Sequence, residues 1–292
     1  MKRSDGSDGM TSTDHRHNTG GLMGAEAPAA VILAAGKGTR MRSPLPKVVH
    51  PVGGRPMVCA VVDACREAGC ERIILVVGYE QERVREGVAS QGPRWAEGIE
   101  FVEQAEQMGT GHAVRCAEAL LTPGDHRRAL PRDVFVLAGD GPLIRGQTLR
   151  TLLERHRTTG AAATLATALL DDPTGYGRII RGADGRLERI VEHKECTPEQ
   201  LRVREVNPSY YCFQREALFR TLARVERNPQ SGEYYVTDVP TMLLREGARV
   251  EVIDAVPAED VLSINTPEQL AEVDAIYRAR RPQDAVAGGG AR

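Results

Sequence analysis

The chain has 292 residues, with 38 Lys+Arg against 40 Asp+Glu and a formal net charge of −2. Hydrophobic residues make up 41% and charged residues 27%, ordinary values for a globular protein long enough to bury a core without disulfides or structural metal. The near-neutral balance argues against broad nucleic-acid or anionic-membrane binding, and no apolar run reaches the ~18 residues that a membrane span needs.

Residues 1–27 are polar and rich in Gly, Ser, Asp, Thr and His, and are expected to be a disordered tail. A single folded domain is expected over 28–281, followed by a second disordered tail over 282–292 that carries Gly288, Gly289 and Gly290. Between the tails, short apolar runs alternate with amphipathic stretches. Val31 to Ala34 reads as a strand that runs into a glycine loop. Met57 to Ala68 has a helical apolar period, with Gly69 as its stop. Ile73 to Val77 is a second buried strand, Glu80 to Val88 a helix and Glu100 to Glu103 a short strand. Thr110 is expected to cap a helix that runs to Leu121. Val134 to Ala138 is a fully apolar strand and Thr148 to Arg157 a helix. This alternation predicts a parallel sheet covered on both faces.

After Gly160 the pattern turns antiparallel. Ala161 to Leu170 and Val206 to Phe213 read as strands, and Arg178 to Arg181 with Leu187 to Val191 as a hairpin. Arg215 to Arg224 and Val236 to Arg245 are helical, and Val250 to Ile253 is a strand. The last helix opens on Thr266-Pro267-Glu268-Gln269, with Thr at the N-cap and Gln three residues on, a capping box. The expected fold class is α/β, with both halves sharing one continuous sheet.

The six cysteines (Cys59, Cys65, Cys70, Cys116, Cys196 and Cys212) contain no CxxC pair and no zinc-finger spacing. They are expected to be free thiols in a reducing compartment. The N-terminus has no signal-peptide apolar stretch, so a cytoplasmic location is expected.

Chemistry concentrates in a few loops. Ala34, Gly36, Lys37, Gly38 and Arg40 follow a buried strand, where small residues let backbone N–H groups approach a phosphate chain and the basic side chains supply countercharge. Met41 occupies the position of the third Rossmann glycine, and Met41-Arg42-Ser43 does not complete a Walker loop. An ordinary glycine turn with surface basic residues is the alternative. Pro44 and Pro46 stiffen the approach to Lys47, either a phosphate clamp or a plain surface lysine. Asp140 lies just beyond the carboxyl end of the Val134–Ala138 strand, where open parallel sheets bind ligands; this favours a Mg2+ ligand over a turn-stabilising carboxylate.

Gln104, with its donor and acceptor, can match the imide edge of uracil, and Gly109 allows backbone approach to a flat base. The alternative there is a loop and a helix cap. His112 falls inside the helical pattern and is read as a packing or capping residue rather than a catalytic base. Glu192, Asn207 and Asn265 are polar residues that singly say nothing.

Together these stretches resemble the sugar-1-phosphate nucleotidyltransferases. More narrowly, they resemble the N-terminal uridylyltransferase half of the bacterial bifunctional GlmU proteins. The matching stretches are LAAGKGTRM at 33–41, LPKVVH at 45–50, QAEQMGTGHA at 104–113, AGDGPL at 138–143, DPTGYGRI at 172–179, VEHK at 191–194, EVN at 205–207, GEYYVTD at 232–238 and NTPEQL at 265–270. The resemblance implies a Rossmann-like, GT-A-like nucleotidyltransferase domain with a mostly parallel mixed sheet and helices on both faces. It implies phosphate contacts from Gly36 to Arg40 and from Lys47, uracil contacts from Gln104, Gly109 and Thr110, and Mg2+ held by Asp140 and Asn265. Gly177, Glu192 and Asn207 are implied for the sugar. The implied substrates are UTP and N-acetylglucosamine-1-phosphate; another sugar-1-phosphate, dTTP, or a non-catalytic nucleotide-sugar sensor are the alternatives.

Three departures stand out. Gly141 replaces the usual Val after the metal-binding Asp. Pro208-Ser209 replaces Thr/Ser-Gly after Asn207. The hexapeptide repeats of the family's acetyltransferase half are not in these 292 residues, so acetyl transfer and the trimer interface of that half are not expected, and the oligomeric state is left open.

Overall fold

A computed structural model describes residues 26–124, 130–254 and 256–280. The two expected tails, apart from residues 26 and 27, lie outside them. The first strand, β1 (Ala29–Leu33), leads through the glycine loop into a two-residue ribbon of β2 (Pro51–Val52) and β3 (Arg55–Pro56) and then into α1 (Met57–Glu67). Next come β4 (Arg72–Val77), α2 (Gln81–Ala89), the single turn α3 (Pro93–Ala96) and β5 (Ile99–Glu103). The expected helix from Thr110 to Leu121 is two pieces, α4 (Thr110–Cys116) and α5 (Glu118–Leu121). β6 (Asp133–Ala138) and α6 (Gly146–Thr159) complete the first half.

In the second half, β7 (Ala163–Ala166) is followed at once by β8 (Ala168–Leu169), and then by the hairpin of β9 (Gly177–Arg181) and β10 (Leu187–Val191). After α7 (Pro198–Leu201) come β11 (Glu205–Asn207), β12 (Tyr210–Gln214), α8 (Arg215–Leu222), α9 (Asp238–Arg245), β13 (Val250–Ile253) and α10 (Pro267–Arg280).

The central sheet has seven strands in the order β13-β7-β12-β6-β1-β4-β5. Six run the same way, and β12 is antiparallel to both of its neighbours. The β6–β12 ladder joins the two halves, as expected of a continuous sheet. Successive residues of β1 feed opposite cores. Ala30 and Ile32 pack with α1 and α6, while Ala29 and Val31 pack with α4, α8 and α9. Burial on both faces explains why the central parallel strands β1, β4 and β6 read as apolar runs.

A second, all-antiparallel sheet, β10-β9-β11-β8, stands apart from the first. The two long strands expected over 161–170 and 206–213 are therefore each divided between sheets. The first breaks at Thr167, whose N–H bonds the Ile253 carbonyl at 2.8 Å. The second breaks at Pro208-Ser209: Pro208 has no N–H for a ladder, and Ser209 takes a left-handed φ of 63° that turns the chain. The small sheet hangs beyond the carboxyl ends of the parallel strands and gives the site its second wall.

Candidate active site

Four of the predicted residues meet directly. The Lys47 ammonium donates to Asp140 Oδ2 and, at 3.0 Å, to Asn265 Oδ1. Arg40 Nη2 donates to the same Asn265 oxygen at 2.8 Å, across 225 positions of sequence. Gly38 makes this possible. Its φ is +64°, and a Cβ there would stand 2.6 Å from Lys47 Cβ, so only glycine lets the loop close over the lysine. Met41, 3% exposed, anchors the loop in the core.

Asp140 is placed by β6, which ends two residues before it. Its carbonyl accepts from Ile264 N at 3.0 Å and ties the strand end to the 263–265 segment. Asn265 is oriented from behind: its Nδ2 donates to Ser263 Oγ at 3.2 Å. Half of the expected capping box at α10 forms, with Thr266 Oγ1 accepting from Gln269 N at 3.3 Å. The reciprocal bond does not: Gln269 Oε1 accepts from Asn265 N at 2.8 Å instead of from the cap residue, and so pins the backbone of Asn265. Lys37 is not drawn into this group; its ammonium lies over the Tyr79 ring, 5.1 Å from the centroid.

One ammonium already touches both an Asp140 and an Asn265 oxygen, so two hard donors face a single cationic point. One carboxylate and one amide suit Mg2+, which takes the rest of its shell from phosphate and water. Among the described residues, no group of three or more His, Cys, Asp or Glu side chains could hold a metal ion.

The residues expected to read the base lie after β5. Gln104, 4% exposed, sends Nε2 to the Gly109 carbonyl at 3.0 Å and to His112 Nδ1 at 3.0 Å. Gly109 has φ +96°, and a Cβ there would be 2.6 Å from the Tyr234 carbonyl oxygen. Thr110 is the first residue of α4 rather than its cap, because Gly109 holds the cap position. The Thr110 hydroxyl instead accepts from Val236 N at 3.1 Å, which fastens this loop to the 234–236 segment. Gln107, not singled out from the sequence, donates to the Ala35 carbonyl at 2.8 Å and joins the loop after β5 to the glycine loop.

Of the residues expected to meet the sugar, Gly177 and Asn207 sit on the small sheet and Glu192 just past the end of β10. Gly177 pairs with Asn207 across β9 and β11. Glu192 accepts from Thr237 Oγ1 at 3.0 Å. Burial pushes the Glu192 carboxyl above its usual range, opposed by the Thr237 hydrogen bond and reinforced by neighbouring carboxylates. Asn207 is engaged at both ends, donating to Tyr211 OH at 2.5 Å and accepting from Ser209 N at 3.2 Å. Burial raises Tyr211, with the Glu192 charge adding to it, so the phenol stays protonated. Tyr176 links this wall to the segment that carries Asn265, since its hydroxyl accepts from Ser263 N at 3.0 Å. Thr237, Tyr211, Tyr176 and Ser263 were not found from the sequence. Of these, only Tyr176 and Thr237 fall within the resembling stretches.

A cavity of about 970 Å3 opens at the opposite, amino end of the parallel strands, between Pro28, Arg72, Gly98 and Pro131, and contains none of the predicted residues.

Residues 30–233 match the MobA-like NTP transferase domain. The chain belongs to the MobA-like NTP transferase family. This NTP transferase is similar to the bifunctional protein GlmU of Geobacter metallireducens, with 46% identity over 252 residues that cover 86% of the chain and 51% of the relative. It is also similar to the bifunctional protein GlmU of Geobacillus thermodenitrificans, with 44% identity over 251 residues, 86% of the chain and 52% of the relative. The chain thus spans about half the length of these relatives. The NTP transferase fold also matches a solved UDP-glucose pyrophosphorylase in complex with UDP-glucose. The TM-score is 0.68 over 87% of this chain and 100% of that one, and at 18% identity the likeness is one of fold. The chain is therefore a nucleotidyltransferase with the expected mixed, mostly parallel sheet. None of its described helices is long and apolar enough to cross a membrane.

Proposed function

We propose that the chain is a sugar-1-phosphate uridylyltransferase that joins UTP to N-acetylglucosamine-1-phosphate and releases pyrophosphate. The observation that carries this reading is the convergence of Arg40 and Lys47 on Asp140 and Asn265 beyond the carboxyl ends of β1 and β6. Sensing a nucleotide sugar requires no such cluster; moving charge between phosphates does.

The sugar phosphate oxygen attacks the α-phosphorus of UTP in line. One P–O bond forms and the bond to pyrophosphate breaks. The nucleophile is already ionised, so no protein base is needed. Lys47 and Arg40 bind the phosphates and offset charge as it builds on the leaving group. Asp140 and Asn265 would hold Mg2+, which when bound neutralises phosphate oxygens and orients them. Gln104 keeps Oε1 free of protein partners among the described residues, so it can accept from the N3–H of uracil. Glu192 and Asn207 offer polar groups to the sugar hydroxyls and the N-acetyl arm. The six cysteines are unpaired, which supports a reducing, cytoplasmic setting.

The test is pyrophosphate release from UTP and Mg2+ across a panel of sugar-1-phosphates, with dTTP run in parallel. N-acetylglucosamine-1-phosphate is expected to exceed glucose-, galactose- and N-acetylgalactosamine-1-phosphate. Preference for another sugar would trace to Pro208-Ser209, whose N–H engages Asn207. UTP binding with no turnover on any sugar would refute the catalytic reading.

A further inference from the structure

His112 is the third residue of α4 and takes no part in the chemistry above. Its position decides something else. Gln104 Nε2 has two hydrogens, and the structure gives it two partners: the Gly109 carbonyl and His112 Nδ1, each at 3.0 Å. The Gly109 oxygen can only accept, so the amide nitrogen must face it. With that nitrogen also facing Nδ1, the ring nitrogen is the acceptor and the ring proton sits on Nε2. Both amide hydrogens are spent. Gln104 Oε1 makes no protein hydrogen bond among the described residues, although the side chain is 4% exposed. An amide locked in this way offers a ligand an acceptor and no donor.

We propose that His112 is a positioning residue for nucleobase selection: together with the Gly109 carbonyl it holds the Gln104 amide in the orientation that accepts a base N–H. The proposal rests on the reading that Gln104 meets the base edge. A base with N–H at that edge, as in uracil, is matched. Cytosine places a bare acceptor nitrogen there and is repelled, because two lone pairs then face each other. Without the ring nitrogen one of the two bonds that hold the amide is lost. The whole amide then turns over more readily and offers Nε2 to cytosine, so the loss falls on discrimination more than on overall binding.

The test is equilibrium binding of UTP and of CTP, each with Mg2+, to the full chain and to three variants by titration calorimetry. His112→Leu removes the acceptor. His112→Gln carries its polar atoms one bond too far out, and serves as the second loss variant if the leucine protein does not fold. His112→Asn puts Oδ1 on the same Cγ that carries Nδ1, and so restores the acceptor. The parent is expected to favour UTP. His112→Leu and His112→Gln are expected to lower the CTP-to-UTP ratio of Kd about five- to tenfold, the worth of one hydrogen bond. His112→Asn is expected to stay within about twofold of the parent, which packing alone would not achieve.

A parent-like ratio in His112→Leu overturns the proposal, and so does equal loss in the Asn and Leu proteins. A parent with no preference for UTP overturns the base reading of Gln104 instead, and the two failures are told apart by that first measurement.

Discussion

Asp140→Ala removes the carboxylate that Lys47 grips, and the structure separates its effects on activity and on stability. The two side chains are 16% and 18% exposed, so the pair is neither a loose surface bridge nor sealed from water. Lys47 keeps Asn265 Oδ1 at 3.0 Å, and the Asp140 carbonyl keeps Ile264 N at 3.0 Å, since neither bond uses the lost carboxylate. Lys47 keeps a hydrogen bond but loses its counter-charge, and with the ammonium still partly open to water the stability cost is about 1 kcal/mol. For a domain of this size that lowers Tm by about 2–4 °C. Activity suffers far more. Loss of one preorganised electrostatic group costs on the order of 10²–10³ in kcat, about 3–4 kcal/mol of barrier. The assay is pyrophosphate release against Mg2+ concentration, alongside a thermal melt of the same preparation. Asn265→Ala removes a neutral donor and is expected to lose less, about tenfold. An Asp140→Ala protein within tenfold of parental kcat would refute the assignment. A collapse in Tm would show instead that the carboxylate is there to hold the fold.

Gly38→Ala forces a side chain into a left-handed conformation, costing about 1–2 kcal/mol, and drives its Cβ against Lys47. Its KM for UTP is expected to rise at least about tenfold with a modest fall in Tm; an unchanged KM would count against the closed loop. Glu192→Gln removes a buried carboxylate whose pKa is raised. A raised folded pKa means that stability is full below the unfolded value, near 4.5, and is lost as pH rises through the folded one. Melts at pH 4.5 and 8 are therefore expected to show the variant gaining on the parent at the higher pH, while its KM for sugar phosphate worsens. His156 lies 2.9 Å from Thr164 Oγ1, and burial, partly opposed by Asp133, lowers its pKa to about 4. The unfolded chain protonates first, so this group's contribution is present above pH 6.5 and lost as pH falls toward 4, on the order of 3 kcal/mol in all. The drop in urea midpoint between pH 7.5 and 4.5 is expected to shrink in His156→Asn, whose Oδ1 can still reach Thr164; an equal drop would exonerate the histidine.

Much of the first half is legible in the residues. Past Arg72 and Asp133 at their first positions, β1, β4 and β6 are apolar because both faces are buried, and a strand buried on both faces announces itself without alternation. The loops beyond those strands are legible for the same reason: a glycine run or a lone Asp just past a buried strand has few other uses. The second half is not. Ala161 to Leu170 reads as one strand because local pattern reports burial and not partner, and both β7 and β8 are buried at their first residues. Only pairing with β13 and β12 on one side, and with β11 on the other, divides them between two sheets. Likewise, Asn265 is one polar residue before a capping box until the fold brings it to Arg40 and Lys47. His112 reads as helix packing until Gln104 is seen to point at it. Short-range periodicity determined which residues are buried, because secondary structure repeats over two to four positions. Which buried or polar residue meets which was decided by contacts spanning as many as 225 positions, where no local period reaches.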